Sequence, residues 1–173
     1  MRILFLAGAI CLAPLAVQAA QLTVPINAIS ASGVGVQIGT IDLRDTADGL
    51  QITTNLSKLP SGSHGFHVHE NPNCGPGTAD GKPAAGLAAG GHFDPGHTGK
   101  HMGPNGAGHM GDLPVLAVGL DGRARATMTV RRLTVAAIRG RALMIHAGGD
   151  TYGEPPTLGG GGARIACGVI PAK

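Results

Sequence analysis

The 173-residue sequence has no Trp, one Tyr and three Phe, only 13% charged residues, and no long apolar run after the one at its amino terminus. Crossing a bilayer as a helix takes about 20 apolar residues in a row, so nothing in the body of the chain is built for that. Lys and Arg exceed Asp and Glu by only 13 to 10, too weak an excess for a dedicated nucleic-acid binder. There is no CxxC pair, so thiol redox catalysis is not indicated either. What the chain does have is 30 Gly and 12 Pro, about a quarter of all residues, beside 43% hydrophobic content. That hydrophobic fraction is too high for a solvated coil, and the length suits one domain, so the composition describes a single globular fold rich in turns. It also contains eight His, which is the unusual number.

The amino terminus sets the compartment. Arg2 is followed by the apolar run Ile3 to Val17 and then by small residues ending in Ala19 and Ala20, the pattern of a secretory signal peptide. Val17-Gln18-Ala19 presents small residues at the positions read by signal peptidase, which predicts cleavage after Ala19, a signal peptide over 1–19 and one mature domain over 20–173. The run is short for a membrane anchor, and bulky Ile10 before Cys11 argues against a lipid anchor, so no stable membrane insertion is expected. Removing Arg2 and Cys11 leaves 12 basic against 10 acidic residues and two cysteines, Cys74 and Cys167. In an oxidising compartment two cysteines predict one disulfide. Closing so long a loop stabilises a chain by about 4–5 kcal/mol in the chain-entropy treatment.

Hydrophobic periodicity along the mature chain is two rather than 3.6. Val34, Val36 and Ile38 share one parity while Ile41 and Leu43 take the other, which predicts a strand with a bulge or bend near Gly39. Further short strands are expected over 49–56, 115–120, 124–130, 142–146 and 164–170, separated by turn signals at Asp48-Gly49, Leu59-Pro60-Ser61-Gly62 and Asp121-Gly122. Only Leu133 to Arg139 could form a helical turn or two. The fold class is therefore all-β, a sandwich or barrel. Two segments, 71–113 and 147–163, are too long to be simple connections, and long ordered loops usually carry function. The first is so rich in Gly that it cannot form a core, which leaves metal ligation and the Cys74 crosslink to hold it.

The histidines supply such ligands. In His64-Gly65-Phe66-His67-Val68-His69 an extended chain points His67 and His69 to one side and Phe66 and Val68 to the other, so the two imidazoles can chelate one metal. His64 has the parity of Phe66 and reads as a structural, hydrogen-bonded histidine. Farther along come His92, His97, His101 and His109, the last forming a His-x-x-Asp pair with Asp112. One imidazole and one hard oxygen from that pair, completed by two more imidazoles, satisfy a four-coordinate zinc site, with His97 as the surplus member. His146 follows Leu143-Met144-Ile145, where alternation places it outward and able to join His67 and His69. An imidazole site without thiolate suits copper or zinc and excludes a blue-copper centre.

These stretches together resemble the exported copper/zinc superoxide dismutases of bacteria. The resemblance is carried by 64–70, Gly90-Gly91-His92-Phe93-Asp94-Pro95, Gly108-His109-Met110-Gly111-Asp112-Leu113-Pro114, Leu143 to Asp150, and Gly159 to Ile170 with its Arg164-Ile165-Ala166-Cys167-Gly168, in the family's order over almost the whole mature chain. It implies an eight-stranded Greek-key barrel with two long functional loops and a periplasmic location, and it leaves a homodimer open. It further implies copper on His67, His69, His92 and His146, and zinc on His92, His101, His109 and Asp112, with His92 shared. Asp150 would hydrogen-bond ligands of both metals, Cys74 and Cys167 would form the disulfide, and Arg164 would draw superoxide, a small anion, to the copper. The implied reaction converts two superoxide anions to oxygen and hydrogen peroxide by alternate reduction and oxidation of that copper. The competing reading is a non-catalytic periplasmic copper or zinc carrier or storage protein on the same scaffold, for which Arg164 would have no use. A zinc hydrolase fits poorly, because four protein ligands leave no open position for water.

Three further readings concern residues outside this constellation. Lys82 could stand in for the charged steering loop that 151–156 is too short to provide. Met102 and Met110 read as exposed loop residues rather than Cu(I) ligands. The six arginines Arg123, Arg125, Arg131, Arg132, Arg139 and Arg141 read as a solvated outer face.

Overall fold

A computed structural model describes residues 20–173; the expected signal peptide over 1–19, Cys11 included, lies outside the described residues. Eleven strands follow one another: β1 Gln21–Ser30, β2 Gly33–Thr46, β3 Gly49–Leu56, β4 Gly62–His64, β5 Phe66–His69, β6 Gly77–Ala79, β7 Lys82–Ala84, β8 Leu116–Val118, β9 Ala124–Val130, β10 Ala142–His146 and β11 Arg164–Val169. One helical turn, α1 Val135–Ile138, stands where a turn or two was expected, with the Thr134 side chain accepting the Ala137 N–H to start it.

Seven strands form one antiparallel sheet in the order β5-β10-β11-β1-β2-β3-β9, while β4 pairs with β8 and β6 with β7. β4 and β5 are one strand interrupted at Gly65, and a tight turn at Gly119–Gly122 joins β8 to β9. With β4 and β5 counted as one and the separate β6–β7 hairpin set aside, eight strands wrap into a barrel. The connections β3 to β4 and β9 to β10 cross its ends as Greek-key crossovers do. The interior is aliphatic. Val24, Ile26, Ile41, Leu43, Leu50, Ile52, Phe66, Val68, Leu143 and Ile145 are all buried, each drawn from the alternate positions of its strand.

The bend expected near Gly39 is present. Gly39 pairs with Ile26 and Gln37 with Asn27, so Ile38 is left over as a bulge. Gly39 itself has φ of +147°, and a Cβ there would strike the Asn55 carbonyl, which only glycine avoids. Ile38 in the bulge is buried, and beyond it Ile41 and Leu43 carry the inward alternation, whereas Val34 and Val36 are exposed. β1 is an element that the turn and alternation signals did not single out. It lies at the centre of the sheet, between β11 and β2. Leu120, expected at the end of a strand, is instead fully exposed in the β8–β9 turn.

The predicted disulfide joins Cys74 to Cys167, with Cα atoms 5.7 Å apart, inside a small apolar cluster of Ile29, Ala89, Ala142 and Met144. It ties the 71–91 segment, which contains the β6–β7 hairpin, to β11.

Candidate metal centre

β5 is the foundation of the site. It pairs with β10 on one edge, Val68 opposite Leu143 and His67 opposite Met144, so that Phe66 and Val68 enter the core and both histidines face away from it. Its other edge is covered by two pieces of the long Gly-rich loop. Phe93 N–H donates to Val68 O (2.8 Å), Val68 N–H to Gly111 O (2.9 Å), and Leu113 N–H to Phe66 O (3.2 Å). Phe93 and Leu113 are buried in the core and anchor these pieces. The loop is therefore laid on as a partial extra strand, which sets His92 beside His69 and Asp112 beside His67. His146 comes from the end of β10, where a register slip against β11 pairs it with Arg164.

The side chains converge in two groups. His67, His69, His92 and His146 each offer one ring nitrogen, all within 4.8 Å of one another, and so do the donors of His67, His92, His101 and Asp112. All are buried. The second cluster differs from the expected zinc set in having His67 where His109 was anticipated. His109 stands slightly farther out, its buried Nδ1 3.5 Å from Asp112 Oδ1. His101 Nδ1 and His92 Nδ1 each lie 3.1 Å from the same oxygen.

Hydrogen bonds fix which nitrogen of each ring faces inward. His67 Nε2 and His101 Nε2 both lie 2.7 Å from the carboxylate of Asp150, one on each oxygen, and a carboxylate can only accept. Their Nδ1 atoms are thereby left as lone pairs turned toward the centre. His69 Nδ1 donates to Gly90 O at 3.0 Å and His146 Nδ1 to Gly162 O at 3.1 Å, leaving the two Nε2 atoms facing each other 3.4 Å apart. His92 turns Nδ1 toward Asp112 and Nε2 toward the other histidines. Asp150 is held in turn by the Tyr152 N–H, and Gly159 passes so close that a Cβ would strike its carboxylate.

Burial dominates the electrostatics. It holds the imidazole of His69 well below its usual pKa, lowers that of His67, and brings His92 to about 4 and His146 to about 3. All four are neutral near pH 7 and have lone pairs to give. For Asp150 and Asp112 burial alone would raise the pKa, but the histidine N–H groups bonded to each carboxylate overcome it and hold both below the ordinary value.

The other singled-out residues fall into place around this cluster. His64 is structural, with its ring nitrogens 2.8 Å from His146 O and 2.9 Å from Pro60 O, and His97 is exposed. Lys82 is exposed on β7. Met102 is exposed as expected, but Met110 is partly buried against the core, a correction to its reading as an exposed loop residue. Arg164 reaches across the Cys74 segment, donating to Gly86 O (2.6 Å) and Gly90 O (2.8 Å). Tyr152 was not anticipated. Its hydroxyl accepts the Val115 N–H at 2.7 Å and so ties the second long loop to the body, and its being the only Tyr was the one sequence signal available.

Residues 37–170 match the family model of copper/zinc superoxide dismutase. A superoxide dismutase [Cu-Zn] of Salmonella typhimurium is 51% identical over 172 residues, covering 98% of this chain and 99% of that protein. Among solved structures, the Cu/Zn superoxide dismutase of Brucella abortus superposes with a TM-score of 0.85 at 50% identity, over 87% of this chain and 99% of that one. The monomeric copper, zinc superoxide dismutase of Salmonella enterica gives 0.79 at 51%, with the same coverage. With a barrel of the same shape and half of its residues shared with these enzymes, the chain belongs to the copper/zinc superoxide dismutase family.

Proposed function

We propose that His67, His69, His92 and His146 hold the copper ion of this superoxide dismutase, and that His92, His101, His109 and Asp112 hold its zinc ion, with His92 ligating both. The observation that carries this reading is a set of buried ring nitrogens without hydrogen-bond partners: His67 Nδ1, His92 Nε2, His101 Nδ1 and His109 Nδ1. Leaving such groups unsatisfied costs about 1–3 kcal/mol each, a cost that ligation removes. The donor chemistry also fits, three imidazoles and a carboxylate for zinc and imidazoles alone for copper. His67 stands near both donor groups, and we assign it to the copper set on the family pattern of His67-Val68-His69; the atom it would supply is Nδ1, since Nε2 is committed to Asp150.

When bound, copper supplies the one-electron couple that takes an electron from one superoxide, giving oxygen, and returns it to a second, giving hydrogen peroxide after two protons are added. The chain's own residues do the rest. Arg164, half-buried and held by two carbonyls, presents a fixed positive charge to a small anion, which steers and orients it. His92 Nε2 is placed to take a proton and return it to the reduced substrate, while Nδ1 stays turned to Asp112. Asp150 fixes the tautomers of His67 and His101 together. A fixed guanidinium favours catalysis over metal carriage, since a carrier needs no anion guide.

We read residues 1–19 as a signal peptide, the mature domain as 20–173 and the location as the periplasm; the amino-terminal residue of protein recovered from that compartment checks all three. Exposed Val34 and Val169 line one groove with the Cys74–Cys167 disulfide, and sedimentation shows whether two copies of the chain pair or it stays monomeric like the Salmonella relative. Catalysis is tested by dismutation rate with copper and zinc quantified on the same sample. One copper and one zinc per chain with fast turnover, abolished in His146→Ala, is the expected result; full occupancy without turnover would favour carriage or storage.

A further inference from the structure

The chain folds its zinc-side loop without a core. From Met102 to His109 it reads Met-Gly-Pro-Asn-Gly-Ala-Gly-His, with Met102 exposed and no other large apolar side chain to bury. What converges there is polar backbone. The N–H groups of Met102 and Gly103 both donate to Asp112 Oδ2 at 3.1 Å. On the opposite flank the carbonyls of Gly103, Gly106, Gly108 and His109 point toward one place. Aligned carbonyl oxygens repel one another, so this arrangement needs a cation or several donors between them.

Arg132 supplies both. It sits in the turn after β9, where Leu133 N–H closes back on Val130 O (3.2 Å) and Leu133 is buried, which turns the arginine inward. One terminal nitrogen donates to Gly106 O at 2.7 Å and Gly108 O at 3.4 Å; the other donates to Gly103 O at 3.2 Å and to His109 O. Among the described residues no carboxylate lies within ion-pairing distance of it, the one Arg–carboxylate pair being the exposed Arg123–Asp121. Its charge is met by carbonyl dipoles alone. The planar fork of a guanidinium can reach four acceptors at once, and an ammonium cannot do so in that geometry.

We infer that Arg132 is a positioning residue for zinc: it clamps the carbonyls of 103–109 so that His109 and Asp112 face the same point before the metal arrives. It touches neither the metal donors nor the substrate. It acts through the backbone of His109, whose carbonyl it grips and whose ring nitrogen stands 3.5 Å from Asp112. The inference rests on the zinc-ligand reading above.

The test uses purified mature protein titrated with zinc against a chromophoric chelator, with Co(II) as a spectroscopic substitute. Partners that orient metal ligands are worth about 10–100-fold in affinity, so Arg132→Ala should weaken zinc binding by that factor and dim the visible bands of tetrahedral Co(II), with the copper spectrum unchanged. Arg132→Lys should lie between Ala and wild type. Exposed Arg131→Ala, which removes the same charge next door, should match wild type. A residue that only supports the fold would lower the melting temperatures of the metal-free and zinc-loaded proteins equally; the clamp predicts a smaller rise on adding zinc. Unchanged zinc affinity in Arg132→Ala overturns the inference. If that variant does not fold, wild-type affinity in Arg132→Lys overturns it. Should wild-type zinc affinity be indifferent to His109→Ala and Asp112→Ala, the ligand reading falls and the clamp with it.

Discussion

Replacing Cys74 and Cys167 together by Ala removes a crosslink between residues 93 positions apart. For a loop of that length the chain-entropy treatment gives a loss of about 4.7 kcal/mol, because the unfolded chain regains the freedom the bond denied it. In a domain of this size each kcal/mol moves the melting temperature by about 2–4 °C, so the metal-free double variant should melt about 10–20 °C below wild type. Both sulfurs are buried among aliphatic and Ala side chains, so Ala introduces no unsatisfied polar group. Differential scanning calorimetry of the metal-free proteins isolates this effect from metal binding, which would stabilise both. A second consequence is functional. The crosslinked segment carries Gly86 and Gly90, whose carbonyls hold the Arg164 guanidinium, and Cys167 lies on the same strand as that arginine. Loosening the segment should therefore lower the low-salt dismutation rate at matched copper content. A fall of less than about 3 °C would refute the reasoning, since it would mean that hydrogen bonds and packing already restrain the 71–91 segment without the bond.

Arg164→Glu should slow dismutation at low ionic strength by about 10–1000-fold without emptying the metal sites, and added salt should shrink the difference; equal rates by pulse radiolysis at matched metal content would remove its steering role. Asp150→Asn leaves one acceptor oxygen where two imidazole N–H groups need one each, and turns a donor at the other, so the affinities for copper and zinc should both fall about 10–100-fold in chelator competition. A loss confined to one metal would contradict the bridging geometry. Metal-free protein should lose stability as pH falls from 7 toward 4. The buried histidines have folded-state pKa values below the unfolded one, so in that window the unfolded chain binds more protons and is favoured, by up to about 1.4 kcal/mol per pH unit for each histidine. Asp150 and Asp112, whose carboxyls are held low, add their loss at still lower pH, and a flat denaturant midpoint between pH 7 and 4 would contradict the burial of those rings.

The residues of the candidate metal centre were legible because chemistry and strand alternation both mark them. His67-Val68-His69 can only point two imidazoles to one side of an extended chain, and the long loop needed a reason to be ordered. Strands β3, β9 and β10 match the expected bounds residue for residue, being bordered by turns and filled by alternating aliphatics. β1 buries Val24, Ile26 and Ile29, but Pro25 interrupts it and register shifts on either side of Asn27 move Ile29 to the other parity, so no clean alternation marks the strand. What no local pattern could show is how the Gly-rich loop is laid on the edge of β5. That depends on Phe93 and Leu113 finding the core, a tertiary event involving two residues separated by a whole loop.

The arginines are where local reasoning failed for a physical reason that reaches beyond this one cluster. A run of arginines on short strands and turns reads as a solvated face, and Arg123, Arg125 and Arg131 are exposed as that reading requires. Arg139 is half-exposed and reaches only the Pro171 carbonyl, at 3.4 Å, whereas Arg132 and Arg141 turn inward onto the long loop. Arg132 binds the carbonyls of 103–109, while Arg141 donates to Glu70 O at 2.6 Å and lies over the Phe93 ring at 4.4 Å. Arg164 does the same for Gly86 and Gly90. Each of the three inward arginines thus ends on backbone carbonyls of the 70–109 loop, the segment too poor in apolar side chains to fold by burial. Metal ligation and the disulfide were the two devices expected to order that loop, and guanidinium–carbonyl contacts are a third that is present before any metal binds. A loop ordered in this way can present histidines with their lone pairs already aimed, so that metal binding does not also have to fold the loop.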